Sequence, residues 1–228
     1  MVLPNAVSDI DGNSYDAVQI GNQVWMAENL RTTKYADGTT IPMGSTYSYA
    51  EPYRYAPGSN QSNEENMVNV ASYGYLYNRP AVMHGASSSA ANPSGVQGIC
   101  PNGWHVPSDA EWTELSNYMK TQPAYMASGN ADHLAKALAA TWEWSSASGT
   151  DVPGNDPTTN NATGFSALPA GYYGNGGYIS FGYYANFWSA TENIANYAYD
   201  RYLGYSYAYV YRDGGNKYYG FSVRCVRD

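Results

Sequence analysis

The chain has 228 residues and a formal net charge of −8 at neutral pH, with 13% of its residues charged. That length allows a sizeable core in one large domain or two small ones. The acidic balance argues against a nucleic-acid backbone partner, which wants a basic face, and against anionic membrane surfaces. No apolar run approaches the ~20 residues of a transmembrane helix, and 23 glycines and 12 prolines suit a loop-rich, strand-containing fold better than a helical bundle.

In chain order, residues 1–9 have neither the basic start nor the apolar stretch of a signal peptide. Asp9-Ile-Asp-Gly-Asn13 is a turn signal before the alternating run Ser14–Ile20, and Gly21-Asn22 turns that strand into Gln23-Val-Trp-Met26, a first hairpin. Residues 36–66 are polar and turn-rich and read as a long loop. Tyr73–Tyr77 reads as a short strand and 87–98 as loop. Two helices are predicted. Ser108-Asp-Ala-Glu111 is a capping box, with Trp112, Leu115 and Met119 at helical spacing behind it, giving a helix over 109–120. The Ala-rich run 130–141 gives the second. Residues 145–163 read as another long loop. Beyond them the pattern predicts short strands at 165–168, 178–181, 186–191, 197–203, 205–211 and 220–227, with Asp213-Gly-Gly-Asn216 as a hairpin turn. No shift of composition marks a domain boundary, so 1–228 reads as one α+β domain.

Tyrosine is the dominant signal. The chain holds 25, of which 14 fall between Tyr172 and Tyr219 and seven between Tyr197 and Tyr211. A buried tyrosine must find a partner for its hydroxyl, and an ordinary core rarely offers so many. A binding surface does use them: tyrosine gives rigid, amphipathic contact area while freezing only two torsions. As a strand, 205–211 would turn Tyr205, Tyr207, Tyr209 and Tyr211 to one face and Ser206, Ala208 and Val210 to the other, with Ser206 the residue expected to point inward. A solvent-facing sheet held by cross-strand aromatic pairs is the plainer reading of that ladder.

The two cysteines, Cys100 and Cys225, stand in no metal-ligand spacing. They fit either one disulfide in an oxidising compartment or two buried free thiols. His84, His105 and His133 show no repeated metal spacing, and His105 between Trp104 and Val106 reads as a packing residue. No Gly-x-Ser-x-Gly nucleophile elbow occurs.

Six segments carry a family resemblance: Asp9–Tyr15, Gln23–Arg31, Gly74–Asn78, Cys100-Pro-Asn-Gly-Trp-His-Val-Pro-Ser108, Phe187–Glu192 and Tyr219-Gly-Phe-Ser-Val-Arg-Cys-Val-Arg-Asp228. In order and end to end they resemble the Fibrobacter succinogenes major paralogous domain. The resemblance implies a fold similar to C-type lectins and to the formylglycine-generating enzyme: close termini, two helices flanking small antiparallel sheets, and long loops carrying the ligand surface. It also implies a surface or secreted protein of Bacteroidetes-type bacteria, and it places Cys100 beside Cys225. Trp25, Trp104, Phe187, Trp188 and Phe221 stand in these motifs and, with Trp112 just beyond the Cys100–Ser108 segment, are expected in the core. The pair of active-site cysteines near the C-terminal end of the formylglycine-generating enzyme is reduced to Cys225 alone, which speaks against that catalysis. Asp151–Asp156 could supply calcium ligands, but the Glu-Pro-Asn and Gln-Pro-Asp tripeptides of sugar-binding C-type lectins are missing; Glu51-Pro52-Tyr53 departs at its third position.

The stretch 188–220 is similar to the variable region of retroelement-diversified proteins, in which template adenines mutate and Asn-type codons become Tyr, Ser or Asp. The resulting expectation is a non-catalytic recognition protein without cofactor or metal, at the cell surface, outside the cell or on a phage virion. It would take a protein or glycan ligand through Asn196, Tyr197, Tyr199, Tyr202, Tyr205, Tyr207, Tyr209, Tyr211, Asp213, Asn216, Tyr218 and Tyr219. The alternative is a structural or adhesive bacterial surface domain without a diversified site.

Overall fold

In the computed structural model, which describes residues 1–227, the N-terminal residues Val2–Ser8 form strand β1 and fold back on β2 (Ser14–Ile20). A Gly21-Asn22 turn leads into β3 (Gln23–Met26), with Ile20 opposite Gln23. Gly21 has φ of +65°, and a Cβ there would stand 2.9 Å from the Tyr118 ring, so both backbone and space call for glycine. Next come β4 (Arg54–Tyr55), the helical turns α1 (Asn63–Asn66) and α2 (Val70–Tyr73), β5 (Leu76–Tyr77), α3 (Arg79–Met83), α4 (Asp109–Met119) and α5 (Ala135–Leu138). The C-terminal part holds β6 (Tyr172–Gly174), β7 (Gly177–Ile179), β8 (Tyr184–Ile194), β9 (Tyr197–Gly204), β10 (Tyr211–Asn216) and β11 (Val226–Arg227). This is an α+β fold of small antiparallel sheets and long loops, with sheet orders β1-β2-β3-β11, β10-β9-β8, β4-β5 and β6-β7. The first and last strands share one sheet.

The aromatic residues of the family-like motifs make the core. Trp25 packs at 4.5 Å against Trp112 of α4 with the rings tilted 43°, Phe165 meets Trp25 and Phe187 edge-on, Phe187 lies tilted on Trp112, and Trp188 meets Phe221 at 4.5 Å. Trp25, Trp104, Trp112, Phe187, Trp188 and Phe221 are all buried. Arg224 is fully buried between them. Its guanidinium donates to the carbonyls of Met26, Phe165 and Ser166 and to Asn29 Oδ1 at 2.5–2.9 Å, and desolvation pushes its pKa down to about 9. Cys100 and Cys225 form a disulfide with Cα atoms 5.9 Å apart, tying the approach to α4 to the last strand.

The Ser108–Glu111 capping box is present in both directions: Ser108 Oγ accepts from Glu111 N at 3.1 Å, and Glu111 Oε2 accepts from Ser108 N at 2.8 Å. The expected helix over 130–141 shrinks to the single turn α5. Asn130 side-chain and backbone oxygens draw in the N–H groups of Asp132 and His133, and at the far end Ala140 N leaves the helix to bond Ala167 O. Helical turns also stand where loop or strand was expected. α1 starts at Ser62, whose hydroxyl accepts from Glu65 N, so Ser62-Asn-Glu-Glu65 is a second N-cap signature inside the 36–66 loop. Tyr73 ends α2, leaving only Leu76–Tyr77 extended. Residues 165–168 form no strand beyond the bridge Ala139–Ala167, and of 220–227 only Val226–Arg227 is strand.

Two differences matter most for function. The tyrosine ladder 205–211 is not a strand: Tyr205–Val210 is the loop joining β9 to β10, held because Tyr205 O accepts from Gly154 N and Ala208 O from Ala135 N. Its tyrosines therefore share no single face, and Ser206 points outward, not inward. Asp213–Asn216 is not a turn but the body of β10, in register with Tyr197–Asp200. Its glycines serve close packing instead: a Cβ on Gly215 would lie 2.5 Å from the Phe221 ring. The hairpin turn sits at Ala195-Asn196, between β8 and β9.

Candidate functional site

The register of the β8-β9-β10 sheet decides which side chains meet. Asn186 lies opposite Tyr202, and Tyr202 opposite Tyr211; one step along, Trp188 lies opposite Asp200, and Asp200 opposite Asp213. Strand alternation brings Tyr184, Asn186, Asp200, Tyr202, Tyr211 and Asp213 to one face. Tyr197, Tyr199 and Arg201 go to the other, where Arg201 reaches Asp109 and Thr113 of α4. There Asp109 accepts from Arg201 Nη1 at 2.7 Å and from Arg212 Nε at 2.9 Å, and the Arg212 guanidinium stands 3.6 Å over the Tyr199 ring.

On the first face lies a cavity of about 440 Å³, walled by Tyr172, Tyr184, Tyr202, Tyr219 and Phe221 and floored by Asn186, Asp200, Asp213, Gly214 and Gly215. Its walls are built of aromatic contacts: Tyr202 stacks on Tyr211 at 4.9 Å with rings 9° from parallel, Tyr184 meets Tyr202 at 5.9 Å, and Tyr172 meets Tyr219 at 5.5 Å. Tyr207 packs between Tyr184 and Tyr211, beneath Gly204, where a Cβ would come within 2.5 Å of its ring.

The floor is polar and short of partners. Asp200 is 2% exposed and Asn186 8% exposed, and among the described residues the Oδ1 atom of each has no hydrogen-bond partner. Burial, reinforced by Asp213 on the next strand, pushes the Asp200 carboxyl from its ordinary 3.8 up to about 7, against the pull of Asn186, the Gly215 N–H and Arg201. Two acids directly opposite each other oppose folding. Burial and then Asp213 push the Tyr202 phenol up to about 12, so it stays a neutral hydrogen-bond donor at ordinary pH.

The structure does not gather the sequence-predicted residues into one patch. Tyr202, Asp213 and Tyr219 line the cavity, with Tyr211 and Tyr207 behind its wall. Tyr209 is exposed and leans on His133 at 5.1 Å, while Tyr205 is half-buried against Tyr183 at 5.0 Å. Tyr197 and Tyr199 face away, Asn196 is exposed in the β8-β9 turn, and Asn216 is buried. Tyr218 lies across Tyr219 at 4.9 Å and meets Tyr47 and Tyr49 at 4.7 and 5.0 Å, an aromatic rim beside the cavity. Sequence reasoning missed Asn186, Asp200, Tyr172, Tyr184, Tyr47 and Tyr49. The spacing Tyr184-x-Asn186 and Asp200-x-Tyr202 could have put each pair on one face, but only cross-strand register joins them.

A second cavity, of about 390 Å³, is lined by Arg79, His84, Glu192 and Lys217 among others. There Lys217 pairs with Glu192 and His84 with Asp37, while the buried Arg79 donates Nη2 to Ala190 O and, among the described residues, finds no partner for Nε and Nη1; the cavity holds none of the expected site residues. Among the described residues no group of three or more His, Cys, Asp or Glu side chains is placed to hold a metal ion, and no helix is long and apolar enough to cross a membrane.

The family model described as the Fibrobacter succinogenes major domain matches residues 18–227, and the chain belongs to that family. Neither a curated protein nor a solved structure matches it.

Proposed function

We propose that this member of the Fibrobacter succinogenes major domain family is a non-catalytic ligand-binding protein, a receptor or host-recognition module that works outside the cell, on a bacterial surface or a phage virion. The observation that carries the reading is the tyrosine-walled cavity with its aromatic rim at Tyr218, Tyr47 and Tyr49. Aromatic rings around an open cavity with unpartnered polar atoms at its floor are the composition of a ligand site. Residues 1–228 act as one C-type lectin-like scaffold, consistent with first and last strands in one sheet. The stretch 188–220 is its retroelement-diversified region. The ligand is a protein or a glycan on another cell.

The test is to screen the purified protein, beside a Tyr202→Ser/Tyr219→Ser double variant, on arrays of cell-surface proteins and glycans. A specific ligand lost by the variant with an unchanged melting temperature supports the reading; equal binding by both refutes it. For diversification, sister sequences should differ at Tyr202, Tyr211 and Asp213 while Trp188, Ala198 and Leu203 stay constant. Uniform variation over all loops would instead favour a plain structural or adhesive surface domain.

A further inference from the structure

We propose that the tyrosine-walled cavity receives a cationic group, the ammonium or guanidinium of a lysine- or arginine-sized side chain, held among the phenol rings above the Asp200–Asp213 pair. The inference rests on the reading of this face as a ligand-binding surface and names the chemistry it selects.

Three observations point the same way. First, Asp200 and Asp213 lie opposite each other with no cation on their own face: among the described residues, no Lys or Arg lines the cavity. The two nearby guanidiniums, Arg201 and Arg212, are both drawn to Asp109 on the far side of the sheet, and Lys217 is taken by Glu192. Second, the unpartnered floor atoms, Oδ1 of Asp200 and Oδ1 of Asn186, are acceptors, so the floor asks for a donor. An anion would face the two acids, and the side-chain donors that line the cavity, the Asn186 amide, the Ser180 hydroxyl and the phenols, carry no positive charge to offset them. Third, the walls are four tyrosines and a phenylalanine, whose ring faces attract a desolvated cation. A neutral sugar could stack on the same rings and donate to the same oxygens. It would leave the buried Asp200 and its exposed neighbour Asp213 without an opposite charge, whereas a cation supplies that charge and the hydrogen bonds together.

A pH dependence follows. The charged groups that act on Asp200 are Asp213 on β10 and Arg201 on its own strand; Asn186 of β8 and the Gly215 N–H are its polar neighbours. With its carboxyl titrating at about 7, Asp200 passes from mostly neutral to mostly ionised between pH 6 and pH 8, so affinity for a cation should rise about tenfold over that range.

The experiment titrates the whole protein with Nα-acetyl-lysine methylamide and Nα-acetyl-arginine methylamide. The neutral isostere Nα-acetyl-norleucine methylamide and a methyl glycoside serve as comparisons, all followed by nuclear magnetic resonance at pH 6 and pH 8. The expected result is saturable binding of a cationic probe at least about tenfold tighter than norleucine, stronger at pH 8, and at least about tenfold weaker in Asp200→Asn. Asp213→Asn, on the exposed side of the pair, provides a second reduction in affinity should the first variant fold poorly. Equal affinity for norleucine, or cation binding untouched by both variants, overturns the proposal. Binding of the glycoside alone, lost on Tyr202→Ser, overturns the cation but leaves the recognition surface standing. Binding of no probe also overturns the cation, and the array screen then judges the surface by itself.

Discussion

Asp200→Asn should make the protein more stable at alkaline pH, and by an amount that the structure sets. The folded state holds the carboxyl at about 7 against an ordinary 3.8 because it is buried beside Asp213. Between those two values the unfolded chain has released the proton while the folded chain still binds it, so stability falls as pH rises through the window and levels off above it. The interval is 7 − 3.8, about 3 pH units, and at about 1.4 kcal/mol per unit the full loss is about 4 kcal/mol. Asparagine is neutral and nearly the same shape, so it never incurs that penalty. Urea unfolding of wild type and variant at pH 4, 6 and 8 measures it. The difference should be near zero at pH 4 and grow to several kcal/mol at pH 8, a gain of roughly 10 °C in melting temperature for a chain of this length. Comparing the two proteins cancels the carboxylates that titrate the opposite way, Asp109 among them. A stability difference that does not change between pH 4 and pH 8 would refute the reasoning, because it would mean that the folded protein ionises Asp200 as readily as the unfolded chain. A stabilised variant that no longer binds would show that the acid pair is retained for recognition at the expense of stability.

Asp109→Ala should cost about 3 kcal/mol in urea unfolding, because it leaves the buried Arg201 without its counter-ion, with only the Asp200 and Asp109 carbonyls and the Thr113 hydroxyl still accepting from it. Burial works to raise the Asp109 carboxyl, but hydrogen bonds from Arg212 and Arg201 outweigh it and hold the group below its ordinary value; this contribution is therefore present above the unfolded pKa and lost as pH falls through the folded one. Within the tyrosine loop, Tyr209→Ser should leave the melting temperature within a degree or two, whereas Tyr207→Ser, which empties the space between Tyr184 and Tyr211, should lower stability by about 1–2 kcal/mol. Trp112→Ala should cost about 3–5 kcal/mol by calorimetry, since the ring touches Trp25, Phe165 and Phe187 at once.

The sequence by itself determined what depends on neighbours along the chain. The alternating run Ser14–Ile20, broken only at Ala17-Val18, and a Gly-Asn turn define β2 and β3 to the residue, and Ser108 with Glu111 starts α4 at Asp109, because alternation and capping act within a few residues. The aromatic residues of the family-like motifs are core for the same reason: large apolar rings go inside wherever the chain lets them. Tertiary structure decided where local signals conflict with distant partners. The alternation of Tyr205–Tyr211 reads as a strand, yet the carbonyls of Tyr205 and Ala208 are taken by Gly154 and Ala135, some fifty to seventy residues away in sequence, so no ladder forms there. Asp213-Gly-Gly-Asn216 has the composition of a turn, yet the missing Cβ of Gly215 makes room for the Phe221 ring within an extended strand. The candidate site shows the same division. The abundance of tyrosine announces a surface, but the meeting of Asp200 with Asp213 and of Tyr202 with Tyr211 and Asn186 is a matter of register. A shift of one residue would turn each of those side chains to the opposite face, and the packing of three strands, not the order of residues in any one, holds that register in place.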